Sequence, residues 1–450
     1  MKLLSLVPPS RVCVAVFCLL PLVVSGQTLP EAVQIALSQY PTILAAQSRV
    51  EVAKYQVMQA KSEHWPQVAW QGTNSSYSGV TPTAFAPNDT WIQSPAVSVN
   101  IWSGWRIQSQ VDRASAIRES QRHEETITRD EVAFLVVEAY LNWMRLGTLV
   151  EIAQRNVVRH ERLTSDVSKI ANVDQGRRID VTQAVVRTEN ARLTLEQFRA
   201  EQEVAAQRLR RMLSGSLPEH PSGYKQILGT LPKDKNQALA LLNDRHPVIA
   251  QQMARAQAAE AGILNAKSGF SPTVDLSYQK QTTQGTGQGD YVTQLNVRVP
   301  IFDGGSAFSR TRGAYAELEV AKQELAEARI TLRENLLSAW SNLATSKQRA
   351  TLGSRQVKSA KELVSGYDQQ FRVGRRSLLD LLTVEDNLFS YQVSVTNASF
   401  EERNAKARIL AILNQLASSY ELAGVPAGSS PVTKTGDVAA PKRPTFSNAN

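Results

Sequence analysis

Histidine and cysteine are the side chains in this 450-residue sequence best suited to catalysis or metal binding, and neither type is clustered. Both cysteines, Cys13 and Cys18, lie near the N-terminus, so the rest of the chain has no thiolate chemistry and no disulfide framework. The histidines lack the H-E-x-x-H spacing that places two imidazoles on one helix face, and no Ser–His–Asp arrangement is suggested. They are His64, His123, His160, His220 and His246. The sequence therefore argues against an enzyme and predicts no catalytic, cofactor-binding or metal site.

The stretch GTGQGD at 285–290 resembles a phosphate-binding loop. Such a loop leads into a helix whose N-terminal N–H groups face the phosphate. Here strand-like runs stand on both sides, so we expect a hairpin turn instead.

The N-terminus has the pattern of a secretory signal peptide. Lys2 and Arg11 precede an apolar stretch at 12–24, and Ser25 and Gly26 offer a small-residue cleavage site. We therefore predict a signal peptide at 1–26, with an N-terminal anchor helix as the alternative. Phe17 stands where lipoprotein processing would need a small residue, so lipidation of Cys18 is not expected. No later run of about twenty apolar residues follows, so any membrane-spanning part must consist of strands.

The net charge of +9 is spread along helical segments instead of being clustered. A nucleic-acid binder would concentrate its basic residues and add stacking aromatics. Together with the predicted export, this excludes nucleic acid as the expected partner.

The chain contains an internal duplication. AKSEHWPQV at 60–68 matches AKSGFSPTV at 266–274, and Pro41 matches Pro247, at the same offset. Later matches share a second offset, with VEAYLN at 137–142 against LSAWSN at 337–342. A hairpin loop between the strand-like runs would absorb the difference. The sequence predicts tandem repeats at 27–214 and 236–420, a Pro- and Gly-rich connector at 215–235 and a disordered tail at 421–450.

Each repeat shows the same order of elements: a helix, two strands, a very long helix and a returning helix. The predicted bounds are 29–62, 67–78, 91–102, 106–169 and 178–213 in the first repeat, and 236–268, 273–282, 291–302, 306–371 and 377–418 in the second. Apolar residues in the second long helix recur in steps of three and four, which is a coiled-coil heptad: Leu318, Ala321, Leu325, Ala328 and Leu332. We expect long helices packed as coiled coils.

The strand-like runs alternate between apolar and polar residues over about ten positions, as strands of a transmembrane barrel do. A half-buried soluble sheet alternates identically, but it needs a partner layer, and the remaining sequence is helical. Four strands cannot close a barrel, and an open edge cannot lie in lipid. Three copies would supply twelve strands, and the long helices would continue the barrel as a second tube.

Each strand pattern gives way to a long helix at a corner that holds an aromatic residue and glycine. The predicted corner residues are Trp102, Gly104, Phe302, Gly304 and Gly305, and Asp303 is placed to cap the second long helix. The glycines would let the chain turn from strand into helix.

The sequence resembles the TolC family of outer-membrane channel proteins. The resemblance covers 27–420 and rests on QTLPEAVQIALSQYP at 27–41, VPIFDGG at 299–305 and FRVGRRSLLDLL at 371–382. It implies a membrane α+β fold: a homotrimer with a twelve-stranded barrel in the outer membrane of a Gram-negative bacterium and an α-helical tunnel in the periplasm. It further implies a periplasmic adaptor and an inner-membrane ABC transporter or proton-driven pump as partners, with outer-membrane lipid around the barrel.

The resemblance also places a gate at the periplasmic tip, where the two helical turnarounds lie. Asp380 matches a family carboxylate that rings the aperture, Thr383 stands where some members have a second one, and Arg376 and Phe371 match tip-closing positions. The turnarounds would also meet the adaptor through Gly176, Arg177, Arg178, Val373, Gly374 and Arg375. The alternatives are that Asp380 only favours the helix N-terminus and that the arginines are ordinary exposed charges.

The resemblance implies an exit duct for either protein secretion or drug efflux. Many drug-efflux members carry a lipidated N-terminal cysteine, which this sequence lacks after its signal peptide. This favours type I secretion, with a large adhesin as a candidate passenger. Multidrug efflux is the alternative within channels, and a periplasmic coiled-coil structural protein is the alternative of another class.

Overall fold

The computed structural model describes residues 28–76, 89–213, 215, 217, 227–282 and 289–423. Several sequence predictions lie outside these residues: the signal peptide, the last two positions of the first strand, the hairpin loop at 283–288, much of the connector, and 424–450 of the tail.

Two successive sets of elements follow the predicted order. The first set is α1 (Leu29–Gln39), α2 (Pro41–Ser62), β1 (Gln67–Ser76), β2 (Asp89–Trp102), α3 (Arg106–Val173) and α4 (Arg178–Met212). The second set is α5 (Lys235–Ala240), α6 (Pro247–Lys267), β3 (Thr273–Thr282), β4 (Gly289–Arg298), α7 (Ser306–Arg372), α8 (Leu378–Ile412) and α9 (Leu416–Ala423). The long helices α3 and α7 have 68 and 67 residues and contain no proline.

The prediction of one continuous helix before each strand pair was wrong. Pro41 begins α2 and Pro247 lies at the first position of α6, and each is preceded by a residue with extended backbone, Tyr40 and His246. Proline clashes with an α conformation at the residue before it and lacks the N–H that would continue the helix. The duplicated proline therefore begins a new helix, α2 or α6, at the corresponding place in both repeats.

The returning helix predicted at 377–418 is also two helices. α8 ends at Ile412, Asn414 adopts a positive φ of 55°, and α9 begins at Leu416. The predicted disordered tail was wrong for 421–423, which belong to α9. Asparagine is one of the few residues that tolerates this left-handed conformation, so a single residue redirects the chain.

The strands form one antiparallel sheet in the order β1-β2-β3-β4, so the hairpins of the two repeats pair through β2 and β3. A register shift between Asn100 and Trp102 distorts this central pairing. β4 ends at Arg298, earlier than the predicted 302. Pro300 has no N–H with which to extend the ladder.

The main hydrophobic core lies where the two halves meet on the long helices. It joins α1, α3, α4, α8 and α9 through buried side chains such as Leu29, Tyr140, Leu209, Leu410 and Tyr420. Among the described helices, none combines the length and the apolar composition needed to cross a membrane. The coiled-coil stripe predicted on α7 faces its neighbours, with Ala321 and Leu332 buried.

Candidate functional site

The corner between β4 and α7 is built by an aspartate and two glycines. Asp303 accepts hydrogen bonds from the backbone N–H of Gly305 (3.1 Å) and of Ala307 (2.6 Å). Gly304 and Gly305 adopt φ values of 67° and 83°, a region that side chains disfavour. Asp303 thus satisfies N–H groups at the start of α7, as the sequence predicts, although the N-cap position itself is Gly305.

The corner between β2 and α3 repeats this geometry with different residues. Ser103 replaces the aspartate and accepts from the N–H of Ile107 at 3.4 Å, and Gly104 has a φ of 62°. Trp105 stands where the second repeat has glycine and takes a φ of 68°. A Cβ on Gly104 would lie 2.1 Å from the Cβ of Ser271, which precedes β3. This corner therefore packs closely against the segment that precedes β3 in the second repeat.

Aromatic side chains lie at both strand-to-helix corners. Trp102 is the last residue of β2, and its ring lies 5.4 Å from that of Trp105 in an edge-to-face arrangement. Phe302 lies beyond the end of β4 and is 87% exposed. The left-handed Trp105 was not anticipated, since bulky residues rarely adopt a positive φ.

The sheet presents two chemically different faces. Val68, Trp70, Leu295 and Val297 are exposed apolar side chains, and Tyr278 stacks on Tyr291 at 5.2 Å. The opposite face is polar and internally hydrogen-bonded, with Asn100 donating to Asp275 (2.7 Å) and Asn296 donating to Ser277 (3.3 Å). This separation of faces is the one that a barrel strand between lipid and a polar lumen requires.

The first helical turnaround lies between α3 and α4. Asp174 accepts from the N–H of Gly176 at 3.1 Å, and its other carboxylate oxygen lies 3.6 Å from Arg177. Arg178 begins α4 and is exposed. These predicted docking residues therefore sit together at one end of the molecule.

The second turnaround lies between α7 and α8. Val373 is exposed and Gly374 takes a φ of 75°. Arg375 is exposed, and Arg376 lies over the ring of Tyr367 at 4.4 Å while donating to Gln370 at 3.0 Å. Together with the first turnaround, these residues form what we call the helical tip.

The predicted gate residues occupy this tip in different roles. Asp380 forms a capping box with Ser377 at the start of α8 and lies 4.0 Å from Arg376. Thr383 donates its hydroxyl to the carbonyl of Leu379 at 2.7 Å. Phe371 is 5% exposed and packs in a core that joins both hairpins at the tip. The structure thus brings Asp380 and Arg376 together, whereas Phe371 contributes to the buried packing beneath the turnarounds.

Sequence reasoning missed a charged cluster just above the tip. Arg159 of α3 donates to Glu385 of α8 (2.5 Å) and to Asp368 of α7 (2.9 Å). Burial raises the pKa of Glu385, and the hydrogen bond from Arg159 opposes this. The cluster ties the helices of the two repeats together. No local pattern marks it, because Arg159 lies 226 positions from Glu385 and 209 positions from Asp368.

A buried histidine adjoins this cluster. His160 of α3 lies 3.7 Å from Asp386 of α8, which also pairs with Arg187 of α4 at 2.9 Å. Burial lowers the pKa of His160, with the Asp386 carboxylate acting in the opposite direction. The cluster therefore holds α4 as well as α3 against α8.

Comparison with known proteins agrees with these features. The model of the family "Outer membrane efflux protein" matches residues 32–215 and 238–415. The chain is 25% identical to the outer membrane efflux protein BepC of Brucella suis, over 84% of this chain and 83% of BepC. It is 23% identical to the protein CyaE of Bordetella pertussis, over 87% and 85% of the two chains. A crystal structure of CusC aligns with a TM-score of 0.76 at 17% identity, covering 87% of this chain and 92% of CusC.

The two matched stretches coincide with the two repeats, and the likeness to CusC extends over strands and helices alike. The fold is therefore that of the TolC-like channels, in which the strands of three chains form a twelve-stranded barrel that continues as a helical tunnel. The chain belongs to the outer membrane efflux protein family, and it is an outer-membrane channel protein.

Proposed function

We propose that three copies of this chain form the outer-membrane exit duct of a tripartite export system. The observation that carries this proposal is the direct continuation of a two-faced sheet into α3 and α7. Each of these helices spans about 100 Å at 1.5 Å per residue, so one chain can cross the outer membrane and extend far below it. A periplasmic adaptor and an inner-membrane transporter would complete the path at the helical tip.

The cargo we propose is protein exported by type I secretion, with an ABC transporter as the energy source. Support comes from the sequence after position 18, which contains no cysteine and so offers none for lipidation. A large adhesin is the candidate passenger. The second candidate is drug efflux with a proton-driven pump. The relative BepC is called an outer membrane efflux protein, which favours efflux.

A deletion strain separates these two functions. For type I secretion we expect the passenger protein to disappear from the medium while resistance to antibiotics and detergents is unchanged, and the complementing gene to restore export. Loss of resistance with normal secretion would instead support efflux. The proposal of an export duct fails if neither phenotype changes and the purified trimer conducts no ions in planar bilayers. Heat-modifiable trimers in outer-membrane fractions would oppose the structural-protein alternative.

We further propose that Asp380 forms a threefold carboxylate ring that narrows and gates the periplasmic aperture. Converging like charges attract cations and set an electrostatic barrier. Arg376, 4.0 Å from Asp380, would moderate that charge, Thr383 would contribute no second ring, and Phe371 would hold the two hairpins together. Asp380→Asn should lower cation selectivity in bilayers, whereas Asp174→Asn at the other turnaround should not. Unchanged selectivity in Asp380→Asn would leave the aspartate as a helix cap only.

The helical tip is also our proposed docking surface for the adaptor, through the turnarounds at 176–178 and 373–375. Exposed arginines on both turnarounds suit an acidic partner surface. Arg178→Glu combined with Arg375→Glu should abolish export while trimers form normally. Arg355→Glu, an exposed arginine higher on α7, is the matched control. Normal export in the double variant would rule out these arginines as docking contacts.

A further inference from the structure

A long groove opens between α3 and α7 at mid-height, far from the tip and from the sheet. It consists of two adjoining cavities of about 840 and 810 Å³, and Glu131, Phe134 and Arg408 line both. From Ile127 to Glu138 along α3 the groove extends for about 17 Å, at 1.5 Å per residue. These volumes are in the range of small-molecule sites.

The groove faces away from the connector. Residues Glu401, Asn404 and Arg408 of α8 line it, whereas Lys406 on the opposite side of α8 donates to the carbonyl of Ile227 at 2.8 Å. In a tube whose wall is a single layer of helices, the additional layer must lie outside for the passage to stay open. The groove therefore faces the lumen.

The charge of the groove is opposite to that of the chain. Six acidic and three basic residues line it. Arg349 pairs with Glu401 at 3.2 Å, Arg255 lies 3.7 Å from Glu124, and Arg408 lies over the Phe134 ring at 4.9 Å. Within the described part of the chain, Glu131, Glu138 and Glu324 have no ion-pair partner. Negative charge thus remains uncompensated on a protein with a net charge of +9.

Buried acceptors without partners point to the same ligand chemistry. His246 is 5% exposed and lines the groove. Its Nε2 lies 2.8 Å from the carbonyl oxygen of Ile412, so Nε2 carries the proton and Nδ1 is left as an acceptor. Nδ1 has no hydrogen-bond partner in the described chain, and neither do the buried side-chain oxygens of Gln252 and Asn404, which also line the groove. All three atoms need a donor.

We propose that this groove is a lumenal binding site for linear polycations that carry ammonium groups. Ammonium groups supply N–H donors to the orphaned acceptors and positive charge to the carboxylates, and Phe134 offers an apolar surface to a methylene chain. Because the carboxylates are spread along the groove, an extended polycation can contact several of them, whereas a single small ion cannot. Free polyamines and lysine side chains of a passing polypeptide share this chemistry. The site goes beyond the export role and does not depend on which cargo is exported.

Equilibrium dialysis of radiolabelled spermidine against the purified trimer in detergent tests the site at low ionic strength. We expect saturable binding with one site per chain. Glu131→Gln with Glu138→Gln should weaken it at least about tenfold, since two charge-assisted contacts are removed. Asn404→Leu removes an acceptor without changing charge and should also weaken binding.

The matched control is Glu317→Gln with Glu362→Gln, which removes the same charge from exposed positions of α7 outside the groove. Binding that is absent in the wild type, unchanged in the groove variant or equally weakened in the control would overturn the proposal. Competition by a trilysine amide identifies cargo lysines as a ligand, and spermidine binding without such competition identifies the free polyamine. Both outcomes support the groove, because both require the same acceptors.

Discussion

Asp130 of α3 provides a sharp test of how the C-terminal helix is attached. Its carboxylate is 4% exposed and accepts hydrogen bonds from the N–H groups of Leu416 (2.8 Å) and Ala417 (3.0 Å), the first residues of α9. Burial raises the pKa of Asp130 to about 6, against the two backbone hydrogen bonds, which lower it. An acidic group on a distant helix therefore caps α9 at an electrostatic cost.

The sign of the pH effect follows from this shift. The folded state holds the proton up to about pH 6, whereas the unfolded chain releases it near the ordinary aspartate pKa of 3.8. Stability should therefore decrease as the pH rises from about 4 to about 6, and remain lower above that range. Two pKa units correspond to about 3 kcal/mol at 1.36 kcal/mol per unit.

Asp130→Asn should remove this penalty while keeping an oxygen acceptor for both N–H groups. At pH 8 we expect the variant to be more stable than the wild type by up to about 3 kcal/mol, reduced by the lost charge–dipole interaction with α9. The difference should fall to about half of this value at pH 5 and to about 0.5 kcal/mol at pH 4. Asp130→Ala should be less stable than Asp130→Asn by about 2 kcal/mol or more at every pH, because two buried N–H groups lose their acceptor.

The assay is the thermal midpoint of the detergent-solubilised trimer, measured at intervals from pH 4 to pH 8 for each variant. Protease protection of 416–423 at each pH reports the attachment of α9 directly. Asp112→Asn, on the exposed side of the same helix, controls for charge removal alone. If wild type and Asp130→Asn showed parallel pH profiles, the buried cap would not be the titrating group and the reasoning would be refuted.

Three further predictions concern the corners and the tip. Gly104→Ala should prevent trimer assembly because its Cβ would collide with Ser271. At Gly304 an added Cβ meets no atom within 4 Å, so Gly304→Ala should cost only the backbone strain of about 1 kcal/mol. Equal trimer yields of the two variants on seminative gels would contradict this. Arg159→Leu should lower trimer stability by about 3 kcal/mol, because it leaves the buried carboxylate of Glu385 unpaired. The double variant Arg159→Leu with Glu385→Leu should recover much of this loss. No recovery would show that the two side chains are not coupled. Ser377→Ala should destabilise the start of α8 by about 1 kcal/mol and speed amide exchange there, and Ser377→Thr should not; unchanged exchange in the alanine variant would oppose the capping role.

Periodic features of the sequence were enough to predict the architecture. Alternation of apolar and polar residues identifies strands without tertiary information, because side chains of a strand point to opposite faces in turn. Heptad spacing and the absence of proline identify the long helices in the same local way. The duplication then places corresponding elements in both halves, and the family match to 32–215 and 238–415 follows the same division.

Some errors arose where one residue acts against a periodic pattern. Pro41 and Pro247 were used as markers of the duplication, but each also begins a new helix because of its missing N–H and its clash with the preceding residue. Asn414 redirects the chain before α9. Asp130 then caps α9 from 286 positions away, and no local pattern could connect the two.

The sequence alone determined which segments are strand or helix and that the two halves correspond, because those properties depend on neighbours within one or two turns of the chain. Only the tertiary structure decided which side chains meet. Arg159 joins Glu385 across 226 positions, Gly104 abuts Ser271, and the groove between α3 and α7 gathers carboxylates from separate helices. These contacts depend on how long helices are aligned against one another, and packing along their whole length sets that alignment.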